Sequence, residues 1–135
     1  MATFQKLLYI LMISSMDTGY CNNAIYNVVD FGAVGDNVTD DTDAFVHAIN
    51  NISINNEFQS TLIIPSGGCF LIRPINLTSN MIFLVEDGAT VIGIANSSVW
   101  PIIPGAPSYG QGRNFKGPRY TSLLHGEYLV NVSIR

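Results

Sequence analysis

The sequence predicts an all-β domain fronted by a single helix, and three observations carry that prediction. Beyond residue 60 the apolar residues come in short runs, each closed by Gly, Pro, Asn or an acidic turn, which is the punctuation of short strands. The runs are continuous more often than alternating, so the strands are expected to be buried rather than one-sided. Only one stretch repeats at helical spacing, where Phe45, Ala48, Ile49 and Ile52 form an apolar stripe. On these grounds alone a sandwich and a parallel β-helix both remain open.

At 135 residues the chain holds at most one ordinary domain. Hydrophobic residues make up 47% and charged residues 12%, a balance that supplies a core and excludes disorder. The net charge of −4 leaves no basic footprint for nucleic acid. No basic amphipathic segment of the membrane-surface kind is present either. Neither nucleic acid nor a membrane is expected as a partner.

Taken in order, the chain opens on Lys6 and the apolar run Leu7 to Met16, too short for the ~20 residues that span a bilayer. With small residues Gly19 and Cys21 behind it, this reads as a secretory signal over residues 1–21, leaving a mature domain of 22–135. Five N-x-[ST] sequons, at Asn37, Asn51, Asn76, Asn96 and Asn131, fit an exported chain and are candidate glycan sites. Cleavage at Cys21 leaves Cys69 alone, whereas earlier cleavage leaves a Cys21–Cys69 bridge possible. Cys69 otherwise reads as a small buried hydrophobe.

Val28, Val29 and Phe31 form a short apolar run that stops at Gly32, and Gly35-Asp36-Asn37 supplies residues that tolerate positive φ. A helix starts next, with Thr39 or Asp40 as its cap and Asp40, Asp41 and Asp43 where the helix dipole favours negative charge. After the polar connector Ser53 to Gln59, strands are expected at 61–64, 69–73, 75–77, 81–85 and 90–94. A Pro/Gly-rich loop from Asn96 to Arg119 follows, and then strands at 120–124 and 128–134.

The stretch V-V-D-F-G-A-V-G-D-N-V-T-D-D-T-D-A-F, Val28 to Phe45, resembles the opening of the polygalacturonase-like glycoside hydrolases of the pectin-degrading parallel β-helix superfamily. In that family the signature leads into a helix covering the N-terminal end of the solenoid. Asn37 stands where the family usually has Gly, and Asn also tolerates the left-handed conformation. Pro65 to Ile72 and Asp87 to Gly93 resemble the family's first coils, and the Trp100 to Arg113 loop is similar to a plant-type subgroup. The resemblance covers residues 26 to 134 and implies a right-handed parallel β-helix, here an incomplete solenoid with an N-terminal capping helix. It also implies a secreted protein of the cell wall, acting on pectic polysaccharide and monomeric at full length.

Glycosidase chemistry of the inverting kind needs a general acid and a general base roughly 6.5–9.5 Å apart. The resemblance places these on N-T-D, D-D, G-H-G and R-I-K motifs in middle coils, none of which occurs here. Asp40-Asp41 belongs to the helix start, and His125-Gly126 is preceded by Leu124 rather than Gly. No catalytic residue is therefore assigned, and the chain alone is expected to be inactive and aggregation-prone, because solenoid coils need neighbours. No metal-ligand spacing and no nucleotide fingerprint is present, so no metal or cofactor is implied. His47 falls opposite the apolar stripe and is expected in solvent, and Glu86-Asp87 reads as a turn. One binding set remains: Trp100, Tyr109, Arg113, Lys116 and Arg119 crowd one loop, where guanidinium groups and aromatic faces suit an anionic polysaccharide. The competing roles are a non-catalytic module binding wall glycan, and a fold-mate with pectate-lyase chemistry.

Overall fold

The computed structural model describes residues 23–55, 58–105 and 117–135. Among the described residues eleven short strands run β1 (Ile25–Asn27), β2 (Asp36–Asp40), β3 (Ser60–Ile64), β4 (Cys69–Ile72), β5 (Ile75–Asn76), β6 (Met81–Val85), β7 (Thr90–Gly93), β8 (Ile102–Ile103), β9 (Arg119–Tyr120), β10 (Leu124–His125) and β11 (Val132–Ile134). The α-helix of the described residues, α1 (Thr42–Ile54), lies between β2 and β3. The strands form three parallel ladders, β1-β3-β6-β11, β2-β4-β7 and β5-β10, and one antiparallel pair, β8 with β9. Neighbours within each parallel ladder belong to successive coils of the chain.

The register gives the coil its length. Ser60 lies beside Met81 and Cys69 beside Thr90, a step of 21 residues in both ladders. Two coils are longer. Ile25 pairs with Thr61, 36 residues on, and the surplus holds α1. Ile75 pairs with Leu124, 49 residues on, and the surplus holds the Pro/Gly-rich loop. Such insertions leave the ladders intact because each coil is held by its neighbours rather than by its own length.

Burial alternates along the strands. Ser60, Leu62 and Ile64 of β3 point inward and are buried, while Thr61 and Ile63 are half-buried. Met81 and Phe83 of β6 continue the inward column. The apolar runs of β3, β4 and β6 thus have one buried and one half-buried face, while β7 alternates between exposed and half-buried, a correction to the expectation of strands buried throughout. Inward residues meet the core, and outward apolar residues are shielded by the equivalent residue one coil away.

At the corner between the first two ladders the chain must reverse its twist in very few residues. Gly67 and Gly88, also 21 residues apart, take φ of +80° and +83° there, a region that L side chains rarely adopt. The helix buries Thr42, Ala44, Phe45, Ala48, Ile49 and Ile52 against β3, β5 and the turn at Val28–Phe31. Phe45 is wholly buried and meets Phe70 of one ladder edge-on at 5.9 Å and Phe83 of another at 6.2 Å.

Several expected boundaries move. The run Val28–Phe31 is a 3-10 turn, and the strand lies just before it at Ile25–Asn27. Asp36–Asp40, expected as a turn and helix start, is a strand whose backbone pairs with Cys69 and Leu71 through an irregular register. The expected strand 120–124 is two pieces, Arg119–Tyr120 and Leu124–His125, and 128–134 shortens to Val132–Ile134. Asn37 takes φ +62°, the left-handed conformation anticipated for it. Cys69 is half-buried rather than in the core, with its thiol 3.3 Å from Asn37 Oδ1. The expected signal segment 1–21 and Cys21 lie outside the described residues.

Truncating Phe45 removes a side chain that touches the aromatics of two ladders. Phe45→Ala is expected to destabilise the chain by about 3–5 kcal/mol, read as a lower urea midpoint. Val46→Ala, on the outer face of the same helix, is expected to leave the midpoint within about 0.5 kcal/mol.

Candidate functional site

Four acidic side chains of the β2–α1 segment are each bound to a specific partner. Asp36 folds onto its own turn: its Oδ1 accepts from the amides of Val38 (2.9 Å) and Thr39 (2.7 Å), and its Oδ2 accepts from the Thr39 hydroxyl (2.9 Å). Those bonds favour the ionised form, so its pKa lies below the usual carboxylate value. Asp41 is almost wholly buried and reaches back, not forward, accepting from the amides of Val34 (2.7 Å) and Gly35 (3.1 Å). Its own amide donates to Leu71 of the next coil at 2.8 Å.

The helix cap follows from this. Asp41 occupies the cap position, yet its side chain makes no capping bond. Asp40 supplies it instead, accepting from the Thr42 amide at 3.0 Å and also from the Thr42 hydroxyl. Thr39, the other expected cap, is spent on Asp36. Arg73 closes the group, reaching Asp40 Oδ2 at 3.0 Å and Asp43 Oδ1 at 3.2 Å, while its amide donates to the Thr42 hydroxyl at 2.8 Å. Partial burial raises the Asp40 pKa, but the Thr42 bonds and the Arg73 charge outweigh it and hold the group below its ordinary value. Sequence reasoning gave Arg73 no role. The available signal was its place at a strand end, before Pro74, in a chain whose helix start carries unpaired acids.

The Pro/Gly-rich loop leaves the third coil through a built neck. The Trp100 indole N–H donates to the Ile94 carbonyl at 2.8 Å. A Cβ on Gly93 would lie 2.8 Å from the Trp100 ring, so the indole occupies space that Gly93 leaves where β4 carries the buried Ile72. Above it Thr121 donates to the Pro101 carbonyl, Ile102 pairs with Tyr120 and Ile103 with Arg119, and Gly105 packs on the Gly117 carbonyl. Trp100 and Arg119 are thus brought to one neck, with Tyr120 more than half exposed beside them. Tyr109, Arg113 and Lys116 lie outside the described residues. The β8–β9 pair was missed in the sequence; its signal is a pair of β-branched residues bracketed by prolines, matched by Arg119-Tyr120 after Pro118.

Elsewhere His47 is exposed, as expected. His125 lies on β10, its Nε2 3.5 Å from Glu127 Oε1 and its Nδ1 3.5 Å from the Ser122 hydroxyl, which is already donating to the Leu124 carbonyl at 2.8 Å. That bond directs the hydroxyl proton away from the imidazole. Glu86 sits in the expected turn and accepts from the Ser66 amide at 3.0 Å. No group of three metal-ligating side chains occurs among the described residues, and no described helix is long and apolar enough to cross a membrane. Of the sequon asparagines, Asn37, Asn51, Asn76, Asn96 and Asn131 are all exposed.

Residues 25–133 match the family model described as "Rhamnogalacturonase A/epimerase, pectate lyase-like". The chain belongs to this family. Within it the chain is similar to a probable polygalacturonase of Vitis vinifera, 36% identical over 115 residues, spanning 84% of this chain and 23% of that one. Among solved structures, the family 28 exopolygalacturonase of Yersinia enterocolitica superposes with a TM-score of 0.69 at 24% identity, over 84% of this chain and 19% of that chain. The hyperthermoactive exopolygalacturonase of Thermotoga maritima gives 0.67 at 28% identity, over 83% and 23%. The chain therefore spans about a fifth of the length of these polygalacturonases, and its parallel ladders are those of their β-helix fold.

The lowered pKa of Asp40 fixes a pH dependence. Its stabilisation is fully present above the ordinary carboxylate value of about 3.9 and is lost as pH falls through its lower folded-state value. Asp40→Asn is therefore expected to lower the urea midpoint at pH 7 and to flatten its decline below about pH 4. An unchanged midpoint at pH 7 would show that the Asp40–Thr42–Arg73 group contributes nothing.

Proposed function

We propose that this chain is the N-terminal part of a secreted polygalacturonase-type hydrolase that cleaves galacturonan in the cell wall. The match of residues 25–133 to the family carries the reading, supported by the 21-residue parallel coils. In this reading residues 1–21 are the leader, α1 closes the N-terminal end of a right-handed parallel β-helix, and the catalytic coils lie outside this sequence. Val132 and Ile134 continue the inward column of Met81 and Phe83, and Ile134 is 57% exposed. That exposure supports a further coil above it, and with it the expectation that the chain is aggregation-prone alone.

Hydrolysis adds water across the glycosidic bond: one carboxylic acid protonates the leaving oxygen while a carboxylate takes a proton from the attacking water. Asp36, Asp40 and Asp41 hold backbone and hydroxyl donors, and Asp43 pairs with Arg73. These commitments support placing the catalytic pair elsewhere. The first coils then supply the closed end of the stack and a loop, carrying Trp100, Tyr109, Arg113, Lys116 and Arg119, that touches the anionic polysaccharide. Trp100 anchors that loop, and the cations pair with uronate carboxylates.

Fusing residues 22–135 to the part of the grapevine relative that follows its matched segment tests the reading. The fusion is expected to release reducing ends from polygalacturonate, and the chain alone to release none. Release by the chain alone would contradict it, and an ultraviolet-absorbing unsaturated product would point to lyase chemistry instead. In the fusion, Arg113→Ala/Lys116→Ala is expected to raise KM several-fold with kcat unchanged; an unchanged KM would end the loop's role. The exposed Tyr120 beside Arg119 favours a second reading, glycan binding without catalysis, which predicts retention of the chain alone on immobilised polygalacturonate.

A further inference from the structure

We propose that the fold sorts the sequons, with Asn76 and Asn96 as glycan acceptors and Asn131 as a structural amide that carries no sugar. The inference rests on the secreted reading above. Three amide side chains stand in one column, each just before the strand that opens a coil: Gln59 before β3, Asn80 before β6 and Asn131 before β11. Asn131 is held at both ends of its amide. Its Nδ2 donates to Asn80 Oδ1 at 3.1 Å, and its Oδ1 accepts from Gln59 Nε2 at 3.0 Å. The backbone repeats the match, since Asn80 and Asn131 both take the left-handed conformation, at φ +56° and +58°. Such positions favour Asn over most residues.

A sugar on Asn131 replaces one of the two Nδ2 hydrogens and sets a ring beside an atom that already has the Asn80 oxygen in contact. The rest of this sequon is folded away as well. Ser133, its hydroxyl residue, lies within β11 beside Ile82, and its Oγ is buried with no hydrogen-bond partner. The hydroxyl that this sequon needs is thus held inside the sheet. Gln59 and Asn80 also precede Asn131 in the chain, so both partners have been synthesised when it emerges.

Asn96 presents the opposite arrangement. It stands before an exposed 3-10 turn at Ser97–Val99, and its Oδ1 accepts from both the amide (3.0 Å) and the hydroxyl (2.8 Å) of Ser98, its own sequon residue. Both bonds fall on the oxygen, leaving Nδ2 for the sugar. Asn76 is exposed on β5, on the outward face of its ladder.

The test uses the full chain with a strong leader added ahead of Met1 in a glycosylating eukaryotic host, so that export does not depend on residues 1–21. Enzymatic glycan release in heavy-oxygen water, followed by peptide mass spectrometry, tags each occupied asparagine. The secreted fraction is expected to carry the tag at Asn76 and Asn96 and not at Asn131. Tagging of Asn131 at the level of Asn96, or bare Asn76 and Asn96, would overturn the proposal. Asn131→Gln, made without glycans in bacteria, is expected to lower the folded-to-unfolded ratio about fivefold; an unchanged ratio would also overturn it. Failure of residues 1–21 to direct export on their own would count against the secreted reading while leaving the site map intact.

Discussion

The fold turns on a buried carboxyl group. Asp41 ties Val34 and Gly35 to the start of α1, and its amide ties that junction to Leu71 in the next coil. Three parts of the chain are thereby fixed at one point: the turn that ends the first strand region, the helix that leaves the coil, and the second coil. Phe45 then falls onto Phe70 and Phe83. Asp41 is the buried member of the acidic group and holds two amides at once, so this junction is expected to tolerate substitution less than the exposed acids beside it. The D-D pair of the signature divides its labour accordingly, Asp41 organising backbone and Asp40 capping the helix.

The repeat itself was hidden in the sequence for a physical reason. A coil position constrains only size and polarity, so Leu62 stacks with Phe83, Ile64 with Val85 and Phe70 with Val91 without any residue recurring. Gly67 and Gly88 repeat in kind, as do Asn80 and Asn131, because positive φ constrains chemistry as well as volume. The strands β3, β4, β6 and β7 were legible from their apolar runs and turn residues. The strand β2 was not, since Asp36–Asp40 pairs through its backbone and all five of its residues are exposed, leaving no alternation to read. The antiparallel neck β8–β9 is similarly short, and its Ile102, Ile103 and Tyr120 stay exposed, giving no burial pattern to read.

The site was legible in a narrower sense. The acids near the helix were recognised as structural, yet their individual partners depend on Arg73 and on turns that only the folded coil brings together. Trp100 was read as part of a sugar-binding set, and the Gly93 gap and the bond to the Ile94 carbonyl give it an anchoring role. The amide column of Gln59, Asn80 and Asn131 could not be read at all, because its members are separated by a short coil and then by a long one.

What joins these observations is that this chain's acids, amides and aromatics hold coils together; the function proposed above leaves the chemistry to further coils. Sequencing the transcript past the codon for Arg135 tests that most directly. The account predicts an open frame carrying N-T-D, D-D, G-H-G and R-I-K motifs in order, each at the start or end of a further coil. A stop codon immediately after Arg135 in the mature transcript would contradict it.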